Sequence, residues 1–386
     1  MKKAFPRVAV LVPTASQWGR GVVTGIHNYV RKHTPWQIFA EPHSERDKIQ
    51  VPEGWQGEGI IARVQSLSMA STLEKAGIPV VNVSGIRLKK SNFHQVTTDI
   101  EAAARIAVEH FLNRGFRNFG YFSLLGLSYV SDQQSAYMRH LKELEFSCAI
   151  YTSPSKRGAI ADWTLNMDNL AAWLKSLPKP VGIFTWNASS GRQLVHGCQW
   201  AGLNVPEEVA ILSGANDSLF CEMSHVPISG VAAATEAIGH DAAVLLAQLM
   251  KGRRPSRSPK LIAPLGVVAR QSTDTLAIRE KPLADAVRFI REHVDQPIQV
   301  QDILDHVPLS RSALERLFVR VLQRTPGEEI RRVHFERAKH LLEQTDMPEP
   351  EVSEAAGFGS PEYMVYVFTR QLGVSPIQYR KKVRSR

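Results

Sequence analysis

The chain has 386 residues, 44% of them apolar and 22% charged, with a formal net charge of +10. That length exceeds one ordinary core and predicts two or three domains. The composition is globular, no run of about 18 apolar residues offers a membrane span, and the basic balance favours a polyanionic partner, nucleic acid first.

The N-terminal stretch MKKAFPRVAVLVP carries an apolar run that stops at Pro13. It reads as a buried strand, too short for a secretory leader, so a reducing cytoplasm is the expected location. Residues 22–32 have helical spacing, with Val22, Val23, Ile26 and Val30 on one side. GIIARV and PVVNVSG are further strands, separated by a helix from Met69 to Ala76. EAAARIAVEHFLNRG is an amphipathic helix closed by Gly115. FGYFSL, VGIFTW and VAILSG are short β runs, each followed by a helical pattern, and LIAPLGVVAR reads as one last strand. Strands alternating with helices predict a parallel α/β sheet, and about 270 residues of it predict two lobes. Cys148, Cys198 and Cys221 stand in no metal-ligand spacing. They read as inert thiols, and neither a metal nor a cofactor is expected.

KGRRPSRSPK, residues 251–260, is a basic, proline-punctuated loop, and QSTDTLAIREKP lacks periodicity. Beyond it the pattern is helical only. The expected division is an α/β unit over 1–273, a linker over 274–282 and an all-α unit over 283–386. Residues 251–280 carry seven Lys/Arg against two Asp/Glu, whereas 281–386 carry 17 against 15. Bulk charge therefore does not locate a DNA-reading unit; placement of charge must.

Placement shows in a repeat. SRSALERLFVRVLQRTP from Ser310 and SPEYMVYVFTRQLGVSP from Ser360 align fifty residues apart. Ser310 matches Ser360, Phe318 matches Phe368, Leu322 matches Leu372 and Pro326 matches Pro376. Each segment opens on an N-cap serine and buries an i, i+3, i+4, i+8 stripe. Each ends before a Ser/Thr-Pro pair that opens another helix. Short helical patterns, VQDILDHV and PEVSEAAG, precede them. A short helix, a turn and a capped helix, occurring twice, predict a tandem helix-turn-helix. Met364, Val367, Phe368 and Leu372 are expected to pack. Opposite the stripes, Arg311, Ser312, Glu315 and Arg316 on the first helix can address base edges or phosphates. On the second the equivalents are Glu362, Val365 and Tyr366, with Tyr363 beside them and Arg370 further along. PGEEIRRVHFERAKHLLEQT joins the two units as a helix of about 20 residues, roughly 30 Å, near the spacing of about 34 Å between successive major grooves.

Residues 283–386 resemble the AraC-type DNA-binding domain, on SRSALERLF, RAKHLLEQT and EAAGFGSPEYMVYVFTRQLGVSPIQYR. The first 275 or so residues resemble the sugar-sensing domain of LacI/GalR-type repressors. The stretches are VTTDIEAAARIAVEHFLNRGFRNFGYF, IFTWNASSGRQLVHGCQWAGLNVPEEVAILSGAND and ISGVAAATEAIGHDAAVLLAQLMKG. The resemblance implies a two-lobed α/β sensor of periplasmic-binding-protein type followed by an all-α tandem helix-turn-helix domain. It implies a bacterial transcription regulator, most readily an activator, with double-stranded operator DNA as partner. It further implies a small sugar effector (D-xylose or a related pentose), a homodimer, and RNA polymerase as the activator's target.

In such a sensor the ligand lies at the carboxyl ends of the strands. Gln17, Trp18 and Arg20 in ASQWGRG offer planar donors and an aromatic platform. Asp99 matches a family position that opens a helix, and an ordinary N-cap reads equally well there. Asn187 matches a ligand-contact Asn, and Asn216 and Asp217 follow in SGANDS. Three positions depart from the pattern: Gln133 stands where many sensors place Arg, Ala188 follows Asn187 where Asp is common, and Asn216 takes an Asp position. Fewer charges therefore line the expected site. An enzyme is disfavoured because His27, His33, His43, His94 and His110 form no catalytic spacing. A transport binding protein would need a leader and no DNA reader. A repressor remains the alternative of the same class.

Overall fold

The computed structural model describes residues 5–33, 35–43, 50–51, 54–86, 88, 92–124, 128–153, 163–275, 277 and 280–384. One compact unit comprises Met1–Phe111 and Phe116–Thr275, and a second comprises Leu112–Gly115 and Leu276–Arg386.

In the first unit β1 (Arg7–Leu11), α1 (Gln17–Lys32), β2 (Gln37–Phe39), β3 (Gly59–Ala62), α2 (Leu67–Lys75), β4 (Val80–Asn82) and β5 (His94–Thr98) begin one lobe. The chain crosses to the other lobe for α3 (Ile100–Leu112), β6 (Asn118–Leu124), α4 (Ser128–Glu143), β7 (Cys148–Ser153), α5 (Trp163–Ser176) and β8 (Val181–Thr185). There it continues through α6 (Ala188–Ala201), β9 (Val209–Ser213), α7 (Ser218–Glu222) and β10 (Ser229–Ala232). α8 (Thr235–Met250) and β11 (Lys260–Ile262) return to the first lobe, and β12 (Gly266–Val268) rejoins the second. Each lobe is a six-stranded sheet, ordered β11-β5-β4-β3-β1-β2 and β12-β10-β9-β8-β6-β7. Among the described residues the strand pairings in the first are parallel. In the second, among the described residues, β10/β12 is antiparallel and the other pairings are parallel.

LIAPLGVVAR is not one strand. It divides into β11 and β12, which lie in different sheets. Pro264 lacks the N–H a continuous ladder needs, and Gly266 turns the chain at φ +137°.

β1, β3 and β8 are buried along nearly their whole lengths, because helices cover both sheet faces. In the first lobe α1 and α8 seal one face through Val22, Ile26, Ile238 and Leu246, and α2 seals the other through Ala70 and Leu73. The α1–α8 contact is backbone-close: a Cβ on Gly25 would fall 2.0 Å from the Glu236 carbonyl oxygen. This contact fixes the N-terminus of α1, where Gln17 and Trp18 sit.

The second unit contains α9 (Lys281–Glu292), α10 (Val300–His306), α11 (Arg311–Leu322), α12 (Pro326–Gln344), α13 (Glu349–Ala355), α14 (Pro361–Leu372) and α15 (Pro376–Arg384). Of the expected linker 274–282, residues 276, 278 and 279 lie outside the described residues, and Lys281 and Pro282 already belong to α9. The fifty-residue repeat extends to the caps. Ser310 and Ser360 each accept from the backbone N–H three residues on, and Gln323 and Gly373 end the two helices in the left-handed conformation. α12 is the shared spine. Ile330 closes the core of α9, α10 and α11, while Phe335, Ala338, Leu341 and Leu342 close that of α13 and α14. The repeat fails at one place: Leu322 is 4% exposed but Leu372 is 40% exposed. Leu372 therefore does not pack as expected, although it ends α14 as Leu322 ends α11.

The spine carries a buried charge. Glu329 accepts from Arg332 Nε at 2.9 Å and Nη2 at 2.6 Å, with Arg324 Nε at 3.4 Å. Burial pushes its carboxyl up, but the Arg332 hydrogen bonds and the charges of Arg332, Arg324 and Arg291 outweigh it and hold it below the usual range. Burial likewise holds the His334 imidazole down, against a hydrogen bond to the backbone of Gln296. Both folded values lie below the unfolded ones, so the unfolded chain takes up these protons first as pH falls. The stability they confer is full above the unfolded value and is lost as pH drops through the folded one. Stability of residues 326–344, measured by amide hydrogen exchange, should fall below the usual His value of 6.5, and again below the usual Glu value of 4.5. His334→Phe should remove the first step; a stability flat between pH 8 and pH 4 would contradict both assignments.

Candidate functional site

Among the helix N-termini at the carboxyl ends of the strands are those of α1, α3, α6 and α7. Ser16 and Asn187 cap α1 and α6 through Gly19 N–H at 3.3 Å and Ser190 N–H at 2.9 Å. Asp99 caps α3 by accepting from Ala102 N–H at 3.0 Å. Asp217 caps α7 more loosely, accepting from Phe220 N–H at 3.5 Å. Unpaired N–H groups and the positive helix ends suit oxygen-rich ligands.

The two lobes meet here through Gln17. Its Oε1 accepts from Ser218 N–H at 2.6 Å and from Ser218 Oγ at 3.1 Å, and its own N–H donates to Asp217 Oδ2 at 3.2 Å. Trp18 is half-buried, with the Arg63 guanidinium 5.1 Å from its ring. Gln133 is buried against Gly214: its Oε1 accepts from Tyr121 Oη at 2.8 Å, and a Cβ on Gly214 would strike its Nε2 at 2.4 Å. The same Cβ would lie 2.9 Å from the Trp186 carbonyl, so Gln133, Gly214 and Trp186 converge. Asn216 accepts from Arg270 Nη1 at 2.8 Å. Arg20 stands apart, exposed, with Nη1 on the carbonyls of Thr14 and Ala15 at 3.0 and 2.9 Å.

Three groups at this rim escaped the sequence reading. Tyr129 and Trp186 form a ring pair with centroids 4.7 Å apart, an aromatic surface of the kind that faces sugar C–H groups. Trp186 ends the run VGIFTW directly before Asn187, and that position was the available signal. Arg63 directly follows β3, and a charge after a fully buried strand marks the strand's carboxyl end. Arg270 has no local signal; its partners lie 54 and 42 residues away.

In the second unit Arg311, Ser312, Glu315 and Arg316 all lie exposed on α11, opposite the buried Leu314, Phe318 and Leu322. Arg311 Nε lies 3.4 Å from Glu315 Oε1. Arg316 has no ion pair among the described residues and presents its whole guanidinium fork. On α14 Tyr363 and Tyr366 are exposed and stacked, with centroids 6.2 Å apart, and Arg370 Nη1 donates to Tyr366 Oη at 2.9 Å. Hydrogen bonds from its own N–H and from Ser360 hold Glu362 below the usual carboxylate range, so it also serves the start of its helix. α12, at 19 residues, is about 28 Å long. One face is thus charged, the other aromatic, and a rigid rod spaces them.

Three family models match the chain. They are an XylR N-terminal domain over residues 7–101, a periplasmic binding protein-like domain over 108–273 and a helix-turn-helix domain over 303–382. The xylose operon regulatory protein of Haemophilus influenzae is 28% identical, across 98% of this chain and 99% of its own. That of Escherichia coli K12 is 27% identical, across 97% and 96%. A solved structure of the xylose-binding transcription activator XylR superimposes with a TM-score of 0.65 at 27% identity, over 99% of both chains. The chain is homologous to the xylose operon regulatory proteins. Like them it joins a periplasmic-binding-protein-like unit to a helix-turn-helix unit, the architecture of a DNA-binding transcription regulator.

Arg316→Ala should weaken specific duplex binding by about 1–3 kcal/mol if its fork reads a base. If it meets phosphate instead, the loss should be similar on all sequences and the salt slope should shrink by about 0.9. Fluorescence anisotropy at several salt concentrations separates the two, and unchanged binding on every duplex would remove Arg316 from the interface.

Proposed function

We propose that this protein is a D-xylose-responsive transcription activator of pentose-catabolism genes, acting as a homodimer in the bacterial cytoplasm. The observation that carries the reading is collinearity. The xylose operon regulatory proteins share the whole length of the chain, with the sensor first and the DNA reader second. The site binds and does not transform: Gln17, Asn187, Asn216 and Asp217 offer hydrogen bonds to hydroxyl pairs, and Trp18, Tyr129 and Trp186 offer ring faces. Asp99 and Gln133 orient the rim, and Arg20 and Arg63 supply charge near α1.

Sugar held between the lobes favours the closed arrangement, and its differential affinity for that arrangement limits how far the equilibrium can move. In a dimer the four recognition helices, two per chain, then meet a repeated operator in register. RNA polymerase recruitment follows for an activator. A second small sugar is the other reading, favoured by the neutral Gln133, Ala188 and Asn216 at positions where related sensors carry charge.

Thermal unfolding against a sugar panel tests this reading. At about 100 times its Kd a ligand should stabilise the sensor by roughly 2.7 kcal/mol. A shift with D-xylose supports the proposal. A shift with another sugar alone moves the regulator to that sugar, and no shift with any sugar overturns the sensing role.

A further inference from the structure

Arg270 lies between β12 and a short 3-10 turn at Gln271–Thr273, the last turn before the first unit ends at Thr275. Its side chain is only 11% exposed. Nη1 donates to Asn216 Oδ1 at 2.8 Å and to the Ile228 carbonyl at 3.0 Å, and Nη2 reaches Glu222 Oε1 at 3.4 Å. A guanidinium this enclosed is costly unless its donors are met, so the position is committed to these partners. Asn216 belongs to the loop after β9, and its neighbours Asp217 and Ser218 hold Gln17 of the opposite lobe. One hydrogen bond thus separates the interlobe contact from Arg270.

The backbone on the other side of Arg270 is equally held. Arg270 N–H donates to Ser229 Oγ at 2.8 Å. Ser272 Oγ donates to the Ile211 carbonyl at 2.6 Å and accepts from Ser229 N–H at 2.9 Å. Thr273 Oγ1 lies 2.7 Å from Ser229 Oγ and 2.9 Å from His110 Nε2. Residues 270–273 are therefore a hydroxyl-bonded clasp in which Ser272 and Thr273 are fully buried. A displacement of the 214–217 loop pulls on this clasp through Arg270.

We propose that Arg270 is a positioning residue that couples the cleft loop at Asn216 to the segment leaving the sensor unit, and so carries the sugar signal toward the DNA reader. This rests on the sugar-responsive reading above. Arg270 acts by tying Asn216 to the turn at 271–273.

The experiment uses the full-length chain, D-xylose, and a duplex selected by the wild-type protein from a random-sequence pool. The readout is the ratio of DNA Kd without and with saturating D-xylose, roughly 5–150-fold for typical allosteric proteins. Arg270→Gln should bring the ratio toward one at saturating D-xylose while sugar-free DNA affinity is kept. Arg270→Lys, which can keep one donor on Asn216, should hold an intermediate ratio. Wild-type ratios in both folded variants would overturn the proposal. Should either variant unfold, amide exchange on the wild-type chain decides. Added D-xylose should change protection at Arg270, Ser272 and Asp274, and unchanged protection there overturns the coupling. A wild-type protein that binds DNA but ignores every sugar overturns the sugar-responsive reading itself, and this inference with it.

Discussion

The Gln17 side chain is where the two lobes of the sensor become one device. Each lobe has its own sheet and its own core, so nothing in either core dictates their mutual arrangement. The hydrogen bonds from Ser218 to Gln17 Oε1, and from Gln17 N–H to Asp217, cross between them at the strand carboxyl ends. Such bonds exchange readily with water and contribute modestly on net. A ligand supplying several hydroxyls in the same place can therefore compete with them or add to them. The α1–α8 packing and the capped start of α7 stand directly behind the contact.

The DNA-reading unit meets a different constraint. Two small helix-turn-helix cores would each be marginal alone, and α12 belongs to both. The cost is a charged residue at its centre, Glu329, matched by Arg332 and Arg324. The benefit is a fixed separation of the two exposed faces. Because α11 offers a guanidinium fork and α14 a pair of tyrosines, the two faces suit different chemistry on the DNA: base edges or phosphates for one, sugar and apolar surface for the other.

The helical unit was legible in the sequence because its signals are local. An N-cap serine, an i, i+3, i+4 stripe and a following Pro specify a helix from a few neighbouring residues. The α/β unit was legible as alternation, but β2, β5, β7 and β10 escaped: β2 and β7 are short or alternating runs at sheet edges, and β5 (HQVTT) and β10 (SGVA) are polar or glycine-containing runs inside their sheets. The path of LIAPLGVVAR between two sheets depends on partners far away in the chain, and no local pattern encodes it. The same divide runs through the site. Gln17, Asn187 and Asp217 sit at helix starts that sequence marks. The partnership of Arg270 with Asn216 is set by β12 crossing to the second lobe. Arg20 has the right chemistry for a ligand contact, yet the nearest carbonyls, those of Thr14 and Ala15, capture its guanidinium.

In the proposed regulator these halves are joined by energetic coupling between a sugar cleft and a DNA reader, which is reciprocal by linkage. Binding of the full-length protein to its selected duplex, followed by anisotropy with and without D-xylose at fixed salt, addresses it in one titration. The expected result is a displaced curve, with the DNA Kd changed at least about fivefold by sugar. Superimposable curves, from a protein that demonstrably binds both D-xylose and the duplex, would contradict it.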